Sequence, residues 1–418
     1  MHAAVLLLIL ILTYLGMAAG RIAWLRVDRT GIALLAVIAL LASGEMTLDD
    51  FGSAVDLPTL ALLFAMMIIS AQLAESGFID FCARTITETR GGAAALLGLT
   101  VAIAGGLSAV LANDILIVAI APVLFAGAQS RGLDPRPFAI ALAAATNAGS
   151  AATLIGNPQN IVIGAQGQLG FWNFLAVCAV PALFGLAVVF AVLWLQWHDR
   201  IGSTVLAIAA EPIAVARHPL DRNQTIKGAA AVVALLVLFA TPVPRETGAL
   251  VIAALLLANR KITSRTMIAA VDWPLLLLVA CLFAITGSLN RAGIAAEILG
   301  FLDGNGLLPD NLALLTPLCL ATGNTIGSLP AALLLLQLWP KPPPGILYAA
   351  ALLWTLAGNL VLTGSLTNLL IAERAERMGV AFGFAEHARA GIPIALASIA
   401  FAVLWLALTG TLPVLPGH

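Results

Sequence analysis

The sequence predicts an all-α polytopic membrane protein: two inverted repeats of five spanning helices, each with a re-entrant helical hairpin and a broken helix. Three observations predict it. Of 418 residues, 61% are hydrophobic and only 10% charged, and the mean hydropathy is +1.04, whereas a soluble domain carries about 25% charge. Similar text recurs on either side of a polar connector at 198–227. All but three of the 20 Lys and Arg residues fall on one face of a membrane once the second half is threaded in the opposite direction.

A spanning helix needs about 20 apolar residues. The first repeat, 1–197, offers such runs near 2–20, 31–48, 57–75, 137–165 and 171–197. The run at 2–20 lacks a basic leader and is followed by Arg21, Arg26 and Arg29, which suits a spanning helix rather than a signal peptide. The second repeat, 228–418, offers 228–243, 246–259, 274–290, 347–372 and 391–413. Between the third and fourth run of each set lies a further apolar stretch, 93–129 and 307–340, long enough for a re-entrant hairpin or two full helices. Asp56-Leu57-Pro58 recurs as Asp272-Trp273-Pro274, offset by 216, and the text around Gly156–Asn160 answers Gly364–Asn368, offset by 208.

Five crossings per repeat is odd, so the second repeat enters inverted. With both termini outside the inner (plasma) membrane, only Arg245, Arg291 and Lys341 remain outside, and the connector 198–227 is cytoplasmic. The net charge of −1 says nothing about partners, no basic run suggests nucleic acid, and the expected surroundings are the lipid bilayer. Cys82, Cys178, Cys281 and Cys319 are scattered and read as small hydrophobes rather than disulfides or metal ligands.

One ionisable residue stands deep in an apolar stretch: Asp114, beside Asn113, a place for Na⁺ or H⁺. The equivalent place in 307–340 carries Asn324 and Thr325 between Gly323 and Gly327, with Pro330 suited to the first turn of a returning helix. Such a tip presents free N–H groups to an anion. In 137–165 the sequence predicts unwinding at 156–160, around Gly156, Asn157, Pro158 and Asn160. Unwound backbone at membrane depth must line a cavity or be buried in protein, and its carbonyls and amides would make an oxygen cage for Na⁺. Gly364, Ser365, Thr367 and Asn368 repeat the device without a proline. No Lys or Arg lies deep in any run, so an anion would be held by Asn113, Asn157, Asn324, Thr325, Ser365 and Thr367. Cations would sit on Asn113, Asp114, Gly156, Asn160, Asn324, Gly364 and Asn368.

These residues resemble the ion-transporter superfamily: divalent anion:sodium symporters, citrate-transporter-like permeases, arsenite permeases and a class of Na⁺/H⁺ antiporters. Ala112-Asn113-Asp114 and Gly323-Asn324-Thr325 are similar to the Ser-Asn-Thr signatures of symporter hairpin tips, the first being closer to the arsenite-permease form. Gly156-Asn157-Pro158-Gln159-Asn160 resembles the superfamily's helix break. The resemblance covers about 31–413. It implies a homodimer with elevator-type movement, a scaffold containing 31–48 and 246–259, and interfacial arms at 78–90 and 373–388.

The expected function is cation-coupled (Na⁺ or H⁺) symport of a small anion, by default a di- or tricarboxylate, with no cofactor beyond bound Na⁺. The alternatives are arsenite or antimonite efflux and Na⁺/H⁺ antiport. An enzyme is disfavoured: His2, His198, His218, His387 and His418 lie at ends or in loops, and no catalytic metal motif appears.

Overall fold

The structure, a computed structural model, describes residues 2–19, 27–199, 219–380 and 382–415. Arg21, Arg26, Arg200, Arg217, His218, His418 and most of the connector at 198–227 lie outside the described residues. The first half folds as α1 (His2–Ala19), α2 (Arg29–Ala42), α3 (Leu48–Ala54), α4 (Leu57–Glu75), α5 (Phe78–Thr87), α6 (Ala93–Ser108), α7 (Asn113–Ser130), α8 (Arg136–Ser150), α9 (Pro158–Gln166) and α10 (Phe171–Trp197). The second half folds as α11 (Arg222–Leu238), α12 (Arg245–Leu257), α13 (Ser264–Ala269), α14 (Trp273–Arg291), α15 (Ile294–Gly304), α16 (Leu312–Thr322), α17 (Ser328–Leu338), α18 (Pro344–Ala357), α19 (Leu366–Arg377) and α20 (Phe384–Leu408). A π-helical turn, Gly323–Gly327, joins α16 to α17, and a 3-10 turn, Leu362–Gly364, precedes α19. Six helical stretches among the described residues are long and apolar enough to cross a membrane: Leu57–Glu75, Asn113–Ser130, Phe171–Trp197, Trp273–Arg291, Leu312–Leu338 and Phe384–Leu408.

Local chemistry sets the boundaries. Asp28 caps α2 by accepting from Gly31 N at 2.8 Å. Thr47 and Asp50 form a reciprocal capping box on α3. Asp56 and Asp272 stand before α4 and α14, each with a proline in the first turn, where a missing N–H costs nothing. Gly77 (φ 75°) and Gly293 (φ 74°) turn α4 into α5 and α14 into α15 in the left-handed region that favours glycine.

α8 and α18 sit at the centre. Every residue of α8 from Pro137 to Ser150 is buried, as is nearly all of α18 from Ile346 onward, the pattern of helices enclosed on all sides. α8 packs against α6, α7, α10, α18 and α19, and α18 packs against α16, α17, α20, α8 and α9. Gly149 permits a close approach of α8 to α6, because a Cβ there would collide with the Gly105 carbonyl. Outside this core, α4 packs on α11 and α12, and α14 packs on α1, α2 and α3.

Four expectations change. The run at 31–48 is not one helix: α2 ends at Ala42, and Gly44 (φ 75°) turns the chain before α3. The break in 137–165 falls at 151–157, earlier than expected, because Pro158 is tolerated at the first position of α9 and starts that helix instead of interrupting it. The arm expected at 373–388 is divided between the end of α19 and the start of α20, and the short amphipathic helix that follows α14 as α5 follows α4 is α15. His387 is not in a loop: it lies in the first turn of α20, fully buried, with Nε2 3.2 Å from Asn359 O.

Candidate functional site

A cavity of about 170 Å³ lies where helices begin. Its walls include Ala112–Ile115 at the start of α7, Asn157–Gln159 at the start of α9, Asp272 and Leu275 at the start of α14, Gly327–Pro330 at the start of α17 and Gly364–Thr367 at the start of α19. Each helix N-terminus carries about half a positive charge, part of it met by the side-chain caps on α9, α14 and α19, so their convergence favours an anion. Gly327, at φ 99° and ψ 151°, ends the π-helical turn and lets α17 start afresh at Ser328.

The two helix breaks that hold α9 and α19 are tied by the same bonds. Asn160 Nδ2 donates to Ser150 O at 3.2 Å and Thr153 O at 2.9 Å. Asn368 Nδ2 donates to Gly358 O at 2.8 Å and Val361 O at 3.1 Å. Asn157 caps α9 through Asn160 N at 2.9 Å, and Ser365 caps α19 through Thr367 N at 3.2 Å. The two units are cross-linked at the centre. Asn147 Nδ2 donates to Asn359 Oδ1 at 2.9 Å and Asn368 Oδ1 at 3.1 Å, while Ser365 Oγ donates to Asn147 Oδ1 at 3.0 Å. Asn157 Nδ2 and Gln159 Nε2 both donate to Thr355 Oγ1, at 3.2 and 3.1 Å.

Of the residues expected at the site, Asn113, Asp114, Asn157, Gly364, Ser365 and Thr367 line the cavity. Asn113 Oδ1 is buried with no partner among the described residues, and no hydrogen bond or ion pair engages Asp114 there. Asn324 stands behind the wall. Its Nδ2 donates to Leu320 O at 2.9 Å and Ala357 O at 3.1 Å, and its Oδ1, without a partner among the described residues, lies against Gly364. Thr325 points its hydroxyl into its own helix, at 2.8 Å from Ala321 O. Gly156, Asn160 and Asn368 are outside the cavity lining: Gly156 packs against Ser150 backbone, and both asparagines spend their N–H groups on the break. The carbonyls of 150, 153, 358 and 361 therefore already receive protein donors.

The sequence reading missed Arg29, Asp272 and Thr355. Arg29 lines the cavity and donates to Met17 O at 3.3 Å and Thr325 O at 3.4 Å. It therefore supplies a fixed positive charge that the apolar runs did not contain. Asp272 lines the cavity while its Oδ1 caps α14 through Leu275 N at 3.0 Å. Both stand at helix starts, where a charge in sequence reads as a loop residue. Only the recurrence of Asp56-Leu57-Pro58 as Asp272-Trp273-Pro274 singled out Asp272.

The sequence profile of the CitMHS citrate transporters matches residues 6–339. The chain belongs to the citrate transporter family. Over most of its length the chain is similar to an uncharacterized transporter of Mycobacterium tuberculosis, 26% identical over 95% of this chain and 96% of that one. Over shorter stretches it is similar to the silicon efflux transporter LSI3 of rice, 31% identical over 43% of this chain and 37% of that protein. In fold it is similar to the crystal structure of the Alcanivorax borkumensis YdaH transporter, with a TM-score of 0.59 at 15% identity, covering 98% of this chain and 97% of that one. This citrate-transporter-family chain is thus a multi-pass membrane transporter and not an enzyme.

Proposed function

We propose that the chain carries a small di- or tricarboxylate together with a coupling cation, Na⁺ or H⁺, through an elevator-type cycle. The observation that carries this is the convergence of five helix N-termini and Arg29 on one cavity that also holds Asp114 and the unpartnered Asn113 Oδ1. The N–H groups and the guanidinium would take the substrate's carboxylates. The Asp114 and Asp272 carboxylates would repel the same anion unless a cation or proton neutralises them first. Anion and cation binding are thereby linked, which is the physical basis of symport.

In this reading 1–197 and 228–418 are inverted repeats, with re-entrant hairpins at 93–129 and 307–340. Exchanged partners support it: α4 packs on α12 as α14 packs on α2, and the Asn160 and Asn368 clasps coincide at the offset of 208. The chain would sit in the inner membrane as a homodimer with both termini outside, and the cavity would face the cytoplasm, because Arg29 and Asp272 belong to loops on that side.

The test is uptake of labelled succinate and citrate into proteoliposomes under separate inward Na⁺ and H⁺ gradients. Uptake driven by one gradient, lost in Asn113→Ala or Asn324→Ala and weakened at least tenfold in Arg29→Gln, is the expected result. A second reading rests on the two cavity carboxylates that lack an ion-pair partner among the described residues, Asp114 and Asp272. It is efflux of arsenite or antimonite, or Na⁺/H⁺ exchange, in which Asp114 carries the proton. Wild-type protein that moves neither carboxylate under either gradient would select it.

A further inference from the structure

The helix contacts of the two halves largely correspond, and one difference falls at the cavity. At the end of α9, Gln166 Nε2 donates to Asp56 Oδ2, and α4 packs on α9. The matching helices of the second half, α14 and α19, are not packed against each other. Two offsets identify the residues that would meet there. Asp56 corresponds to Asp272 by 216, since both precede a helix with proline in its first turn. Gln166 corresponds to Arg374 by 208, the offset at which the Asn160 and Asn368 clasps and the Asn157 and Ser365 caps coincide.

Both candidate partners are unspent. Arg374 has no hydrogen bond or ion pair among the described residues, although Arg377 one turn nearby pairs with Glu373 at 2.5 Å. Asp272 uses Oδ1 to cap α14, and its carboxylate faces the open cavity.

We infer that Asp272 and Arg374 form an ion pair that closes the cavity in the opposite half of the transport cycle, where Asp56 and Gln166 separate. This rests on the inverted-repeat, alternating-access reading. The closures at the two faces are chemically unequal. Asp56–Gln166 joins a carboxylate to a neutral amide, whereas Asp272–Arg374 joins two opposite charges and can be bidentate. Asp272 therefore has two roles in sequence: it lines the site while the cavity is open on its side, then holds that side shut. Substrate release on this face requires Arg374 to let go of it.

The experiment places two cysteines in a background lacking the four native ones, as Asp272→Cys with Arg374→Cys, and separately as Asp56→Cys with Gln166→Cys. Each pair is oxidised in membranes and followed by gel shift and by uptake. Reductant-reversible cross-linking of both pairs by gel shift is expected, with uptake arrested by the Asp56–Gln166 cross-link and restored by reductant. A companion measurement avoids the loss of the α14 cap. Ala270→Cys, in the cavity wall, is labelled by an impermeant maleimide with Arg374 intact or changed to Gln, Lys or Glu. Arg374→Gln and Arg374→Glu should raise the labelling rate at least threefold by releasing the closed state, and Arg374→Lys should leave it within twofold. Labelling independent of residue 374, or cross-linking at Asp56–Gln166 alone, would overturn the pairing while leaving alternating access standing. An Asp56–Gln166 cross-link without effect on uptake would instead remove alternating access itself.

Discussion

Asn368→Ala separates the ligand role that the sequence suggests for this side chain from the clasp role that the structure gives it. Asn368 is fully buried and makes three bonds within 3.1 Å: Nδ2 to Gly358 O and Val361 O, and Oδ1 from Asn147 Nδ2. Side-chain hydrogen bonds in membrane proteins average about 0.6 kcal/mol and reach about 1.7 kcal/mol, so losing three costs about 2–5 kcal/mol. Asn147 retains Asn359, which holds the loss toward the lower end. Asn160→Ala should cost a similar amount, since Asn160 ties Ser150 O and Thr153 O in the same way. The assay is reversible unfolding of the purified protein in mixed micelles, run beside cation binding by calorimetry. Asn368→Ala with unchanged unfolding but abolished cation binding would refute the clasp and restore the side chain as a ligand. The expected result is a destabilised protein whose residual folded fraction still binds the cation.

Three further outcomes follow from the same geometry. Gly364→Ala drives a methyl into Asn324 Oδ1 and should lower cation affinity at least tenfold, measured by calorimetry, with little change in unfolding. Gly149→Ala forces α6 and α8 apart at the Gly105 carbonyl and should destabilise the fold by about 1–3 kcal/mol, seen in the same micelle unfolding. Asp221, which caps α11, has its pKa lowered by the hydrogen bond from Lys261 and by the backbone N–H of Gln224. A carboxylate with a depressed folded pKa contributes stability above its unfolded value of about 3.9 and loses it as pH falls through the folded value. Lys261→Ala should therefore be less stable than the parent at neutral pH, and the two unfolding curves should converge in acid.

Much of the site was legible because membrane sequences advertise their exceptions. Asn113, Asp114, Asn157, Ser365 and Thr367 stand out as polar groups in apolar runs, and all five reach the cavity wall. Asn160 and Asn368 stand out equally, yet their amides serve the backbone, because a broken helix leaves carbonyls that must be satisfied before any ion is. Arg29 and Asp272 were concealed for the opposite reason. A charge at a helix start is ordinary in sequence, and nothing in its neighbours says that four other helices begin at the same point in space. His387 reads as a loop residue beside Glu386, and burial shows only when α20 is placed against the Asn359 carbonyl.

The sequence by itself determined that this chain is a helical membrane protein, that the run at 137–165 breaks, and which polar residues stand near that break. Those properties depend on hydrophobicity, proline and glycine, all of which act within a few residues. The tertiary structure alone decided which breaks meet, which asparagines face the cavity and which are consumed in holding it, and that Arg29 and Asp272 complete its charge. Those depend on contacts between residues hundreds of positions apart, such as Asn147 with Asn368 and Arg29 with Thr325, whose geometry no local pattern encodes.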